Sequence, residues 1–221
     1  MFVSEAIAAR RSVRGFLPNP VDPELLHAIV TKAARAATGG NLQPWHVDLM
    51  TGAPLAALKQ TIAAKLLRGE TEEPAYDIYP RDLVAPYRDR RFAVGEALYA
   101  ELGIPRADTA ARRSWFARNF QFFGAPAALF CSIDRRMGPP QWADLGMYLQ
   151  TVMLLAVEAG LATCAQECWA MYPETVGAAI GLPGERMLFC GMAIGLEDTA
   201  DPANAVRAAR APTMEWLTVH D

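Results

Sequence analysis

Between Leu145 and Ala165 the chain is almost continuously apolar, yet the stretch contains Gln150 and Glu158. A bilayer span needs about 20 residues with few or no polar groups. A helix that is apolar nearly all round must otherwise be covered by the rest of its own fold. The stretch therefore reads as a long core helix over Gln141 to Ala159, with Gly160 past its end where a left-handed cap suits glycine. A chain of 221 residues, 52% hydrophobic, can bury such a helix in a single domain and is too apolar for disorder.

The remaining pattern supplies the partners. A short helix is expected from Ser4 to about Arg10. A second starts at Asp22-Pro23-Glu24, with Asp22 as cap and Pro23 at the first helical position, and runs to about Ala36. Strands are expected over Trp45–Thr51, Pro126–Ile133 and Met187–Gly195, with a short extended piece at Thr163–Glu167, a helix at Pro173–Ile180 and a last strand at Glu215–Val219. Few strands separated by helices define an α+β or α/β sandwich. Residues 68–118 hold 18 of the 45 charged residues together with Pro74, Pro80, Pro86 and Pro105. They read as a charged insertion or lid on the core, or as a solvated helical face without a role.

Charge and cysteine usage exclude several classes. Lys and Arg number 21 against 24 Asp and Glu, a net charge of -3. That is not the basic footprint of a nucleic-acid binder, and it gives no attraction to an anionic membrane. Four cysteines do not make a disulfide framework, and three histidines without HExxH or CxxC predict no metal site. The first 16 residues lack the apolar core of a secretory signal, so a cytoplasmic protein is expected.

Three segments could carry chemistry. Arg10, Arg11, Ser12 and Arg14 place three guanidinium groups and a hydroxyl within five residues, suited to a phosphate; a solvated basic turn fits the same pattern. Arg207 and Arg210 form a looser basic pair. The stretch Ala37-Thr38-Gly39-Gly40-Asn41-Leu42-Gln43 combines glycines, which admit a ligand close to the backbone, with amides that read polar ring edges. It is neither a P-loop nor GxGxxG, and a plain helix-to-strand turn fits as well. In the third, Thr163 to Trp169, Glu167 sits in apolar surroundings where a buried carboxylate would need a partner. Cys164 and Cys168 have no histidine nearby in sequence to make either a nucleophile.

In this order and spacing, "RRSVRGF", "AATGGNLQPWHV", "FFGAPAALF", "GLATCAQECW" and "NAVRAARAP" resemble the nitroreductase family of FMN-dependent flavoenzymes. The resemblance implies a three-layer α/β/α sandwich of the α+β class, intertwined as a homodimer with FMN at the interface. It implies that Arg10, Arg11 and Ser12 meet the phosphate and ribityl chain, and that Arg14 lies beside the flavin N1–O2 edge. Ala37, Thr38, Gly39 and Asn41 would come from the second subunit, with Gln43 close by. Backbone N–H groups at Glu167 and Cys168 would face N5 and O4, and Arg210 and Arg207 would complete the phosphate site. A further polar ligand is expected from Arg118, Asn119 or Gln121. Phe122, Phe123, Trp142 and Trp169 are candidates to line the substrate space. Two departures stand out: Cys168 where the family often has Gly, and Gly39-Gly40 where many members have Ser or Thr.

The implied activity is ping-pong transfer of electrons from NADH or NADPH to nitroaromatic or quinone acceptors, the flavin carrying the redox chemistry. Alternatives within the superfamily are reductive dehalogenation and flavin fragmentation. Outside catalysis stand a flavin-binding sensor and a structural dimer without flavin.

Overall fold

The computed structural model describes residues 1–220. Its centre is an antiparallel pair, β2 (Ala127–Asp134) and β4 (Arg186–Gly195), flanked by β1 (His46–Thr51) on β2 and β3 (Ala162–Gln166) on β4, giving the order β1-β2-β4-β3 with every pairing antiparallel. Successive side chains of a strand point to opposite faces, and in β2 both faces are buried. Ala128 and Phe130 enter one core with Leu55, Leu58, Ile62, Phe122 and Trp169. Ala127, Leu129, Cys131 and Ile133 enter another with Leu26, Ile29, Leu145, Leu149 and Val152. A sheet buried on both faces needs helices on both sides, so the three-layer sandwich follows from β2 itself.

One cover consists of α2 (Pro23–Ala33) and α6 (Pro139–Glu158), with α1 (Val3–Ala9) lying along α6. The other consists of α3 (Gly52–Arg68), α7 (Pro173–Ile180) and an aromatic turn, Arg118–Gly124. Phe122 and Trp169 stack there at 4.5 Å between ring centres. They press so closely on β4 that a Cβ at Gly191 would lie 2.5 Å from Trp169 Cδ1, which leaves only glycine there.

Most element ends fall where the sequence places them. Asp22 Oδ1 accepts from Glu24 N–H at 2.9 Å, and Gly160 closes α6 with φ 77°. Two ends differ. The helix begun at Pro23 ends at Ala33, because residues 34–36 tighten into bonds of the i→i−3 type, Ala36 N–H to Ala33 O at 2.9 Å among them. The strand expected at Glu215–Val219 does not form. A short turn, Thr213–Glu215, opens a tail in which Met214, Trp216 and Val219 are exposed. A strand needs a neighbour to accept its N–H groups, and among the described residues the tail meets none.

Residues 68–118 form α4 (Tyr87–Glu101), α5 (Thr109–Ala117) and their connections. α4 buries none of its residues fully; Leu98 and Tyr99 only lean on the first core. Part of the segment's charge is paired within it. Arg112 grips Glu96 with bonds of 2.5 and 3.0 Å and lies 4.1 Å above the Tyr99 ring.

The start of the segment is clasped to the core by Glu72, whose side chain is only 3% exposed. It accepts from Lys65 Nζ at 2.9 Å, from the N–H groups of Glu174 and Thr175 at 2.7 and 3.1 Å, and from the Thr175 hydroxyl. Burial alone would raise this carboxyl; the bonds from Thr175, Lys65 and the two N–H groups outweigh it and hold it below the usual carboxylate range. A carboxyl lowered on folding stabilises at neutral pH, and its contribution is lost as pH falls through the lowered value. Glu72→Gln is expected to cost about 1–3 kcal/mol in urea unfolding at pH 7, with the gap to wild type closing as the pH drops below the glutamate range.

Candidate functional site

The two ends of the chain meet at one buried amide. Asn204 is 5% exposed. Its Oδ1 accepts from Arg14 N–H at 2.7 Å, and its Nδ2 donates to Gly15 O at 2.9 Å and to Asp198 O at 2.8 Å. The contact is so close that a Cβ on Gly15 would lie 2.4 Å from the Asp201 side chain. Sequence reasoning missed Asn204, since nothing local marks a partner 190 positions away.

This clamp sets Arg207 and Arg210 beside the Arg10–Arg14 turn. Together Arg10, Arg11, Ser12, Arg14, Arg207 and Arg210 line a cleft of about 530 Å³, closed by Ile7, Val94 of α4 and Gln150 of α6. Among the described residues Arg11 alone is neutralised, by Glu197, and its buried Nε has no partner. Arg14 Nη1 reaches only Ser12 O at 3.3 Å, while Arg207 and Arg210 reach only nearby backbone carbonyls. Among the described residues these three and Arg10 form no ion pair with a carboxylate. Guanidinium groups gathered without counter-charge form an anion site.

β3 connects this cleft to the third segment. Ser12 pairs with Thr163 in a parallel bridge, and Val13 N–H bonds to Thr163 O at 3.0 Å. The strand then delivers the turn Glu167–Met171 at its far end. Glu167 is exposed, so the partner expected for a buried carboxylate is not required; Cys168 is buried. The cysteines are all free and buried. Burial pushes the Cys164 thiol up to about 11 and Cys131 up to about 12, and raises Cys168 and Cys190 as well. Thiols held protonated are poor nucleophiles.

The remaining candidates lie elsewhere. The loop carrying Ala37, Thr38, Gly39, Asn41 and Gln43 is absent from the cleft lining and is tied to Asp144 of α6. Arg118 bonds to Asp201 at 3.0 Å and covers the Trp115 ring at 4.7 Å. Gln121 Nε2 donates to Lys59 O at 3.1 Å, and Asn119 Nδ2 to Phe116 O at 2.9 Å. None of these three side chains lines the cleft. Phe122, Phe123 and Trp169 are core residues rather than substrate-facing ones, and Trp142 packs edge-on against Tyr76 and Phe189. Among the described residues no cluster of His, Cys, Asp and Glu is placed to hold a metal, and no helix is long and apolar enough to cross a membrane.

An antiparallel sheet covered on both faces by helices, with an arginine cleft where the chain ends meet, is an α+β fold with a basic cleft. Residues 7–196 match the model of the nitroreductase family, and the chain belongs to that family. It is 36% identical over 207 residues to a 4-nitrobenzoate reductase of Pseudomonas putida, covering 92% of this chain and 89% of that protein. It is 34% identical over 226 residues to a nitrobenzene nitroreductase of Ectopseudomonas oleovorans, covering 100% of this chain and 98% of that one. Among solved structures, the FMN and NADPH-dependent nitroreductase NfnB from sphigopyxis sp. strain HMH superimposes with a TM-score of 0.97 at 50% identity, each chain covered completely.

The buried thiols give a direct check. A thiol reagent at pH 8 is expected to label the native protein slowly and to titrate all four cysteines at once in denaturant. Rapid stoichiometric labelling of the native protein would contradict the packing around Cys164 and Cys168.

Proposed function

We propose that this chain is an FMN-dependent oxidoreductase that passes electrons from NADH or NADPH to nitroaromatic or quinone acceptors by ping-pong turnover. The observation that carries the reading is the arginine cleft, with its uncompensated guanidinium groups and the orphaned Arg11 Nε. These residues fit the phosphate of FMN, a dianion that needs several charge-assisted donors. The names of the relatives, two of them reductases of nitroaromatic compounds and one dependent on FMN and NADPH, support the same reading.

In this reading FMN, when bound, supplies the redox chemistry that no side chain of the protein offers. Arg10, Arg11, Ser12, Arg207 and Arg210 hold the phosphate and ribityl end. Arg14, fixed through its backbone to Asn204, places positive charge beside the N1–O2 edge and favours negative charge there without moving a proton. The turn at Glu167 and Cys168 presents backbone N–H groups to N5 and O4. The loop at Thr38, Gly39, Asn41 and Gln43 does not line its own cleft and serves the cleft of a second copy, which makes the working unit a homodimer. Arg118 and Gln121, engaged by Asp201 and by Lys59 O, act as supports of the aromatic turn. The 68–118 segment is the wall that sets acceptor specificity in this reading, and Val94 of its α4 also borders the phosphate end of the site. Four free thiols suit the cytoplasm.

The test is the visible spectrum of the purified protein before and after anaerobic NADH or NADPH. Flavin bands that bleach and return on adding a nitroaromatic are expected. Bands that resist both nucleotides would shift the assignment to dehalogenation, flavin fragmentation or sensing, and failure to bind added FMN would end it. Arg14→Ala is expected to raise the FMN dissociation constant about tenfold, or about 1.4 kcal/mol, and to slow bleaching at saturating nucleotide at least as much. Unchanged values for both would remove the role given to Arg14.

A further inference from the structure

Asp144 lies in α6 among apolar neighbours and is 4% exposed. A carboxylate in such a place is costly unless hydrogen-bonded, and it can only accept. Among the described residues, all its donors come from one loop. The Thr38 hydroxyl donates to Oδ2 at 3.0 Å, and Gly39 N–H approaches the two oxygens at 3.3 and 3.4 Å. The Thr38 oxygen in turn accepts from Gln43 N–H at 3.0 Å. A hydroxyl has one proton to give. With that proton directed to Asp144, its lone pair is left for Gln43, and the relay closes the loop from residue 38 to residue 43.

The loop needs such a hold. Gly40, Asn41 and Gln43 have φ of 58°, 57° and 49°. Two of these three carry side chains in the left-handed region, which persists only where the surroundings impose it. The bonds of the Gln43 side chain stay within the loop, Nε2 donating to Asn41 O and Oδ1 at 3.3 and 3.2 Å. Among the described residues, the only side chain outside the loop that holds this conformation by hydrogen bonds is therefore that of Asp144.

We infer that Asp144 is the positioning residue for the loop that contacts FMN: it fixes the Thr38 hydroxyl and the backbone of residues 39–43 in their binding geometry without touching the cofactor. The inference rests on the FMN reading above. It predicts that the cofactor site has an essential carboxylate on a helix of the core, reached through a threonine hydroxyl.

The test compares wild type, Asp144→Asn, Asp144→Ala, Thr38→Val and Thr38→Ser. FMN dissociation constants come from flavin fluorescence quenching, the bound environment from visible circular dichroism, and loop order from amide exchange in the FMN-free proteins. Asp144→Ala and Thr38→Val are each expected to weaken FMN about tenfold or more and to alter the visible dichroism. Their double variant should lose less than the sum, because both cut one relay. Asp144→Asn, which keeps one acceptor, should fall between them and wild type. Thr38→Ser, which keeps the hydroxyl, should restore wild-type binding. Exchange should accelerate at Gly39 and Gln43 N–H in the Asp144 variants while the β2–β4 amides stay protected. Should Asp144→Ala fail to fold, Thr38→Val and Asp144→Asn carry the test. Wild-type FMN affinity in Asp144→Asn and Thr38→Val, even with lowered melting temperatures, overturns the inference and leaves the FMN reading intact. A wild-type protein that does not bind FMN overturns both.

Discussion

The basic cleft exists because a neutral side chain holds it together. Arginines from opposite ends of the chain repel one another, and a carboxylate placed among them would cancel the positive potential that makes the site useful. Asn204 avoids both problems. Its amide joins residues 14 and 15 to the 198–204 segment entirely through backbone groups and places no carboxylate beside the guanidinium groups. Buried amides that satisfy every polar atom are rigid, because loosening one bond exposes an unpaired group to a low-dielectric interior. Among the described residues, carboxylate pairing tempers the cluster at Arg11 alone, through Glu197.

The same principle recurs on each side of the sheet: a buried polar group is committed to elements far away in sequence. Asn204 joins the chain ends, Glu72 joins the start of the charged segment to α7, and Asp144 joins α6 to the 38–43 loop. Each is a place where the hydrophobic layers alone would leave a segment adrift. β2 and β4 secure the layers; these three side chains secure what is attached to them.

This division explains what could be read from the sequence. Apolar periodicity placed α6, β2, β3, β4 and α7, because those elements are defined by how they meet the core. Motifs quoted in order identified the family, and the Arg10–Arg14 turn and the Arg207–Arg210 pair proved to share one cleft. Asn204, Asp144 and Glu72 were invisible, since each is an ordinary polar residue whose partners are fixed only by the fold. Phe122 and Trp169 look like ring-stacking candidates in sequence, but the stack they make is with each other. The strand expected at Glu215–Val219 failed because alternation can say that a segment would suit a sheet, not that a sheet edge awaits it.

α4 stands apart from this economy. It borders the cleft through Val94, yet no residue in it is fully buried, and its neighbour Arg112 grips it mainly through surface charge. Substitutions on an exposed helix face usually shift stability by less than about 0.5 kcal/mol. The helix that borders the arginine cleft is thus the part of the molecule whose sequence the fold constrains least. Selection, natural or in the laboratory, can rewrite this helix while the sheet, the arginines and their buried supports stay as they are.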